Sequence, residues 1–247
     1  MTEKTESALV EALFKVGAHF GFSRSRRHAT MKSLVYGSKN RTDILDLTKT
    51  APILETALTF VAGLGAHGKT VLFVGGKPEM KQLVKESAGS ISMPYVAGRW
   101  LGGTLTNFNE IKRRIKRMQE LTVERDTGAS AKKYTKKERV LFDREIARLE
   151  ENFLGLNAME KLPDALVVID TRHESIAVAE AATLGIPVVG IMNSDCDFSA
   201  VSYPVVGNDA SKESVSFFLA QITEAYREGM KGRVPAPAVE ENKATVS

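Results

Sequence analysis

Cysteine and tryptophan occur once each in this 247-residue chain, as Cys196 and Trp100. A single cysteine excludes an internal disulfide and suits a reducing compartment. No apolar run approaches the ~20 residues that a membrane-spanning helix needs. The opening stretch MTEKTESALV is acidic and has no signal-peptide pattern. The four histidines, His19, His28, His67 and His173, follow no metal-ligand spacing. A G-x-S-x-G nucleophile elbow is also missing. These absences set the expectation of a cytoplasmic protein with no catalytic residues, no cofactor, no metal and no membrane partner.

What is present is a buriable core and an uneven charge. Hydrophobic residues make up 43%, ordinary for a globular chain. The net charge of +4 is small, but its distribution is not even. Residues 1–50 hold nine Lys/Arg against five Asp/Glu, and residues 105–156 hold thirteen against nine. Residues 157–247 are acidic. Such asymmetry points to an oriented encounter with a polyanion.

Short apolar runs alternate with helical patterns. Val71–Val74, Met93–Val96, Ala165–Ile169, Pro187–Ile191 and Tyr203–Val206 read as strands, several apolar almost throughout, as in a sheet covered on both faces. Helices are expected at Thr50–Ala66, Pro78–Ala88, Glu174–Leu184 and Ser211–Gly229. Gly185 closes one of them and Asn208 and Asp209 offer caps for the last. This alternation predicts an α/β fold with a doubly wound, five-stranded parallel sheet, Rossmann- or flavodoxin-like. Met31–Leu47 adds a small hairpin turning at Gly37. Residues 105–156 break the alternation. Leu105, Phe108, Ile111, Ile115 and Met118 share one helix face, and Phe142, Ile146, Leu149, Phe153 and Leu156 form a heptad seam. An inserted antiparallel coiled-coil hairpin, turning near Asp126–Gly128, is predicted. The domains expected are a discontinuous sheet unit at 1–104 and 157–230, the hairpin at 105–156 and a flexible tail at 231–247.

The block GRWLGGTLTNFNEIKRRIKR at 98–117 carries most information. Its glycines let backbone approach closely, and its helix bears Lys112, Arg113, Arg114, Lys116 and Arg117. Those five cations, with Arg24, Arg26, Arg27, His28 and Lys32 upstream and Arg99 at the glycine elbow, are the candidate nucleic-acid contacts. A solvated helix exterior is the plain alternative for the five. Trp100 fits either a stacking role or a wedge at the root of the arm. Gly63–Thr70 matches G-x-x-x-x-G-K-S/T, yet it follows a helix and precedes a strand. A phosphate loop needs the reverse order, so a helix end is the favoured reading. Gly75–Lys77 leaves a strand and enters a helix, the geometry of a phosphate loop or of a plain turn. A nucleotide-binding enzyme using either loop is the competing function. Cys196 between Asp195 and Asp197 should have a raised pKa, unsuited to a nucleophile. Asp170 and Glu174 could hold a metal, but such acids more often cap a helix.

Five strings together resemble the bacterial small-subunit ribosomal protein S-two family. They are GAHFG at 17–21, GRWLGGTLTN at 98–107, LPDAL at 162–166, LGIP at 184–187 and GND at 207–209, in the family's order. The resemblance spans roughly residues 9–230. It implies an α/β domain with a coiled-coil hairpin, binding to small-subunit ribosomal RNA, neighbours among ribosomal proteins, help in docking ribosomal protein S-one, and no catalysis. Two stretches depart from the family pattern. Phe22–Thr30 is more basic and less aromatic, and Asn193–Phe198 replaces an Asp-Thr-Asn-x-Asp-Pro type of loop.

Overall fold

The computed structural model describes residues 2–127 and 134–232. Gly128 of the expected turn, and the tail beyond Gly232, lie outside the described residues. The N-terminal helix α1 (Thr2–Lys15) leads into a three-stranded antiparallel sheet of β1 (Phe20–Ser23), β2 (Val35–Lys39) and β3 (Thr42–Leu45), in the order β1-β3-β2. After α2 (Leu47–Ala66) comes a five-stranded parallel sheet in the order β5-β4-β6-β7-β8. Its strands are β4 (Val71–Val74), β5 (Tyr95–Val96), β6 (Ala165–Ile169), β7 (Val188–Met192) and β8 (Tyr203–Val206). Numbered within this sheet, the order is 2-1-3-4-5, the flavodoxin-like winding. The chain is doubly wound, as the apolar runs predict.

Alternation within each strand divides the core. Val71, Phe73, Val167, Ile169, Val189 and Ile191 pack toward α2, α3 (Lys81–Ser90) and α7 (Lys212–Lys231). Leu72, Val74, Leu166, Val168 and Val188 face the other way, toward α6 (Ser175–Leu184) and the residues around Trp100. Burying each large side chain contributes about 1.5–3 kcal/mol. On that second face, α4 (Phe108–Asp126) and α5 (Lys136–Phe153) stand between β5 and β6 in the chain. They meet in reversed order: Glu110 and Arg113 lie with Asn152 and Phe153, while Leu121 lies with Phe142 and Ile146. Ile111, Ile115 and Met118 are buried, as their spacing predicts. Thr135 and Glu138 close a capping box at the start of α5.

Several local expectations need correction. The β2–β3 turn is at Asn40–Arg41, both with positive φ, whereas Gly37 lies inside β2 at a register shift. β1 adds a third strand that the small-hairpin reading lacks. β5 is two residues long because Pro94 has no N–H for the ladder and offers only its carbonyl, to Phe73 N. α2 begins at Leu47, capped by Asp46, and α7 is capped by Ser211 rather than by Asn208 or Asp209. Asn208 instead accepts from Ala210 N. The segment expected as one helix from Pro78 is a 3-10 turn at Pro78–Met80 followed by α3. The heptad seam stops at Phe153, and Leu156 sits in a following 3-10 turn.

Helices α2 and α7 cross through glycines. A methyl group on Gly229 would strike Ala62 O, and one on Gly65 would strike Tyr226 O. Both obstacles are backbone and cannot rotate away. Gly229→Ala should therefore lower unfolding free energy by about 1–3 kcal/mol in urea titration, against the usual gain from replacing glycine inside a helix.

Candidate nucleic-acid interface

The root of the α4–α5 pair is organised by one carboxylate. Glu180 lies on α6 in a run of small apolar residues and is 8% exposed. Its Oε1 accepts from Trp100 Nε1 at 3.1 Å and Gly103 N at 2.8 Å, and its Oε2 from Leu105 N at 3.0 Å and from Thr106 N and Oγ1, both at 3.1 Å. Burial pushes the Glu180 pKa up, but these donors outweigh it and leave it below the ordinary value. Trp100 is 6% exposed and packs with Leu105 and Phe153. Of its two sequence-level roles, this placement is that of the wedge. Gly103 has φ +89°, so the loop turns there through a conformation that L side chains rarely adopt.

A second ionic cluster lies beyond the strand ends at the point of order reversal, where ligands usually bind in this winding. Lys77 Nζ lies 2.7 Å from Asp170 and 3.3 Å from Asp209. Desolvation pulls the Lys77 pKa down, but Asp209 and Asp170 together hold it above normal. Burial, reinforced by the Asp170 charge, pushes Asp209 up to about 6. Asp170 itself is held low, because the Lys77 hydrogen bond and the His173 amide overcome its desolvation. Asp170, Asp209 and Cys196 bring possible ligand atoms within 4.8 Å of one another. The cation already seated between the two carboxylates is the protein's own ammonium. Burial pushes the Cys196 thiol up to about 11, so it is inert. Beside this cluster, Glu174 Oε1 accepts from Gly76 N at 3.0 Å and lies 2.6 Å from His173 Nδ1. An internal carboxylate thus occupies the place a phosphate would take at Gly75–Lys77. Asp170 also caps the turn into α6 through Arg172 N and His173 N.

The Gly63–Thr70 string is a helix end. Gly63 and Gly65 are helical, His67 caps α2, Gly68 has φ +60°, and Lys69 pairs with Asp164 at 3.0 Å. Strand β4 follows it, so no helix N-terminus faces the loop.

The basic candidates fall into two groups. Lys112, Arg113, Arg114, Lys116 and Arg117 are all exposed on α4, and Arg113, Arg114 and Arg117 line the groove between α4 and α5. Glu110 lies 3.3 Å from Arg113 and 3.9 Å from Arg114, Glu120 is 4.0 Å from Lys116, and Glu145 is 3.5 Å from Arg117. Exposed pairs of this kind contribute only about 0–1 kcal/mol, so the cations are free to exchange partners. Lys112 Nζ lies 5.3 Å from the Phe108 ring centre. Arg99 is exposed and lines a cleft of about 710 Å³ with Lys81, Trp100 and His173.

In the N-terminal group the charges are unequally committed. Arg27 is 19% exposed and grips Asp43, with Nε 2.6 Å from Oδ2 and Nη2 on Oδ1. That grip holds Asp43 well below the usual carboxylate range. Arg26 and Arg172 both pair with Asp195, at 2.9 and 3.0 Å. His28 starts the next 3-10 helix, its ring on Thr30. Arg24 and Lys32 are exposed, and no described carboxylate pairs with them. Among the described residues, no hydrogen bond, ion pair or shared pocket joins the Arg24–Lys32 group to the α4 group.

The family model described as Ribosomal protein S2 matches residues 13–229. The chain belongs to the ribosomal protein S2 family. The chain is 40% identical over 221 residues to "Small ribosomal subunit protein uS2" of Micrococcus luteus, covering 90% of this chain and 78% of the relative. The protein of that name from Acidothermus cellulolyticus is 40% identical over 231 residues, covering 94% and 84%. That from Coprothermobacter proteolyticus is 39% identical over 225 residues, covering 91% and 83%. In this S2-family chain the residues that the sequence reading passed over are Glu180 and Asp43, while Lys77 and Asp209, read there as part of a loop and as a helix cap, pair with each other instead. Glu180 carried a signal: a charge inside an apolar helix is almost never buried unless partnered.

Two stability outcomes follow from the Lys77 cluster. Lys77→Met leaves buried carboxylates without their cation and should cost about 3–5 kcal/mol in denaturant unfolding. Because Asp209 titrates higher folded than unfolded, its contribution is complete below the unfolded value and is lost as pH rises through about 6. Wild type should therefore lose stability relative to Asp209→Asn between pH 5 and 7.5. Parallel curves for the two would contradict the assignment.

Proposed function

We propose that the chain is a structural constituent of the small ribosomal subunit, acting in the cytoplasm by binding small-subunit ribosomal RNA and not by catalysis. One observation carries this: an S2-family chain offers five exposed cations on a helix whose apolar side is buried. The name borne by its relatives, small ribosomal subunit protein, supports the same assignment. Its partners are then ribosomal RNA and neighbouring ribosomal proteins. Docking of ribosomal protein S-one belongs to this reading through the family resemblance.

Residues 1–104 and 157–230 act in this reading as the sheet domain, 105–156 as a coiled-coil arm and 231–247 as a tail. The arm presents Lys112, Arg113, Arg114, Lys116 and Arg117 to phosphates, with Arg99 at its root and Trp100 as the wedge that fixes it. Arg24, Arg26, His28 and Lys32 form the second surface, on which Arg27 serves by anchoring Asp43. The lack of catalysis is supported by internal pairing of the charged groups at the strand ends, where Lys77 is held by Asp170 and Asp209 and Glu174 accepts from Gly76 N.

Phosphate contacts release counterions, so affinity should fall steeply with salt, by about 0.7–0.9 logarithmic units per contact for each tenfold rise. Changing all five α4 cations to Gln should leave the circular dichroism spectrum unchanged, weaken association with protein-depleted small subunits and flatten that salt dependence. Incorporation equal to wild type at matched salt would remove the arm from the interface. Calorimetry of the wild-type protein against millimolar ATP, GTP and NAD should show no saturable heat. Saturable binding would favour the nucleotide-dependent enzyme.

A further inference from the structure

We propose that the tip of the β2–β3 hairpin, clipped to Arg24, extends the Arg24–Lys32 surface into a docking site for the phosphodiester backbone of RNA. The claim rests on the RNA-binding reading above and adds Lys39 and Arg41 to it.

The ladder pairs Ser38 with Asp43 and Lys39 with Thr42, which leaves Asn40 and Arg41 as a two-residue turn. Both have positive φ, 51° and 66°. A turn of this kind favours asparagine followed by glycine, and an arginine there works against the local steric preference of an L side chain. Folding alone would be served better by glycine at position 41. Arg24 N donates to Arg41 O at 2.9 Å, which ties the end of β1 to the turn. Three cations are thereby brought to one end of a short antiparallel ribbon.

Arg24, Lys39 and Arg41 are exposed, and among the described residues no carboxylate is ion-paired with any of them, although Arg24 lies near enough to help hold the Asp43 pKa down. The acid close by, Asp43, already accepts from Arg27 on both oxygens and from Ser38 Oγ at 2.7 Å. On α4, by contrast, four of the five cations have a carboxylate within 4.0 Å. The base of the ribbon is pinned by Leu45 N on His19 O and Asp46 N on Leu34 O, both at 2.8 Å, while Arg24 N holds Arg41 O at its tip. A backbone already held in place gives up little conformational freedom when the tip meets an anion.

An RNA backbone suits this tip better than an acidic protein segment. Tyr36, on the strand that leads to the tip, is 81% exposed, an aromatic side chain of the kind that stacks on unpaired bases. The tip reads charge and shape and carries no base-specific pattern, as expected of phosphate contacts that set register.

The test uses the full-length protein and small-subunit ribosomal RNA, with affinity measured from 0.1 to 0.4 M salt. The variants are Arg24→Gln/Lys39→Gln/Arg41→Gly, Arg41→Gly alone, Arg41→Lys, and the α4 Gln variant. The triple variant should flatten the log-log salt slope by about 2–3 and lower affinity about tenfold or more at 0.2 M salt. Arg41→Gly should weaken binding while its melting temperature stays level or rises, since glycine suits the turn. Arg41→Lys should keep most of the affinity. If the triple variant binds with wild-type affinity and slope while the α4 variant is impaired, the tip is overturned and the RNA reading stands. If wild type itself shows no salt-dependent RNA binding, the RNA reading falls and the tip with it.

Discussion

Glu180 on α6 holds the segment that leads into α4. Five donors from Trp100, Gly103, Leu105 and Thr106 converge on its two oxygens, across 74 to 80 residues of sequence. Three of those donors are backbone amides at the entry to α4. Of these, Leu105 N is buried, and without the carboxylate it would be left unsatisfied at a cost of about 1–3 kcal/mol. The charge is tolerated there because it replaces the water that those amides would otherwise need. Where the α4 cations point is thus settled on α6, a helix that carries none of them.

The same device recurs at the other two joints. Lys77 locks the β4 loop to the ends of β6 and β8 through Asp170 and Asp209. Arg27 locks the segment after β1 to β3 through Asp43. Each lock spends an ionic group in the interior and leaves nearby surface cations unspent. In a winding whose strand ends commonly hold a ligand, Lys77, Asp170 and Asp209 pair with one another there, beside a cleft that Gly76 and Glu174 line. Arg27, which reads in sequence as one more surface cation, is what keeps Arg24 and Arg41 in place beside the turn.

How much was legible in the sequence follows from the range over which each signal acts. β4, β6 and β8 are runs whose apolar character is local, and the boundaries expected from them are those observed. The buried faces of α4 and α5 follow from spacing alone at Ile111, Ile115, Met118, Ile146 and Phe153. The Gly185 cap needs only positive φ, and has it at 68°. The misplacements come from choices between nearby candidates. Gly37 looked like the better turn residue, but Asn40–Arg41 turns because the register of β3 demands it. Asn208 and Asp209 both look like caps, but Asp209 is drawn into the interior by Lys77 and Asn193. The ionic locks pair residues far apart in sequence, and no periodicity reports such pairs. Composition alone could not tell a committed arginine such as Arg27 from a free one such as Arg24.

Hydrogen exchange on Glu180→Ala tests most directly whether one carboxylate holds the segment that leads into α4. The amides of Gly103, Leu105 and Thr106 should lose at least about tenfold of their protection, with those of α4 following. The sheet amides of Phe73 and Val167 should keep theirs, because their ladder does not pass through Glu180. Unchanged protection at the three root amides, or an equal loss across the whole molecule, would contradict the account.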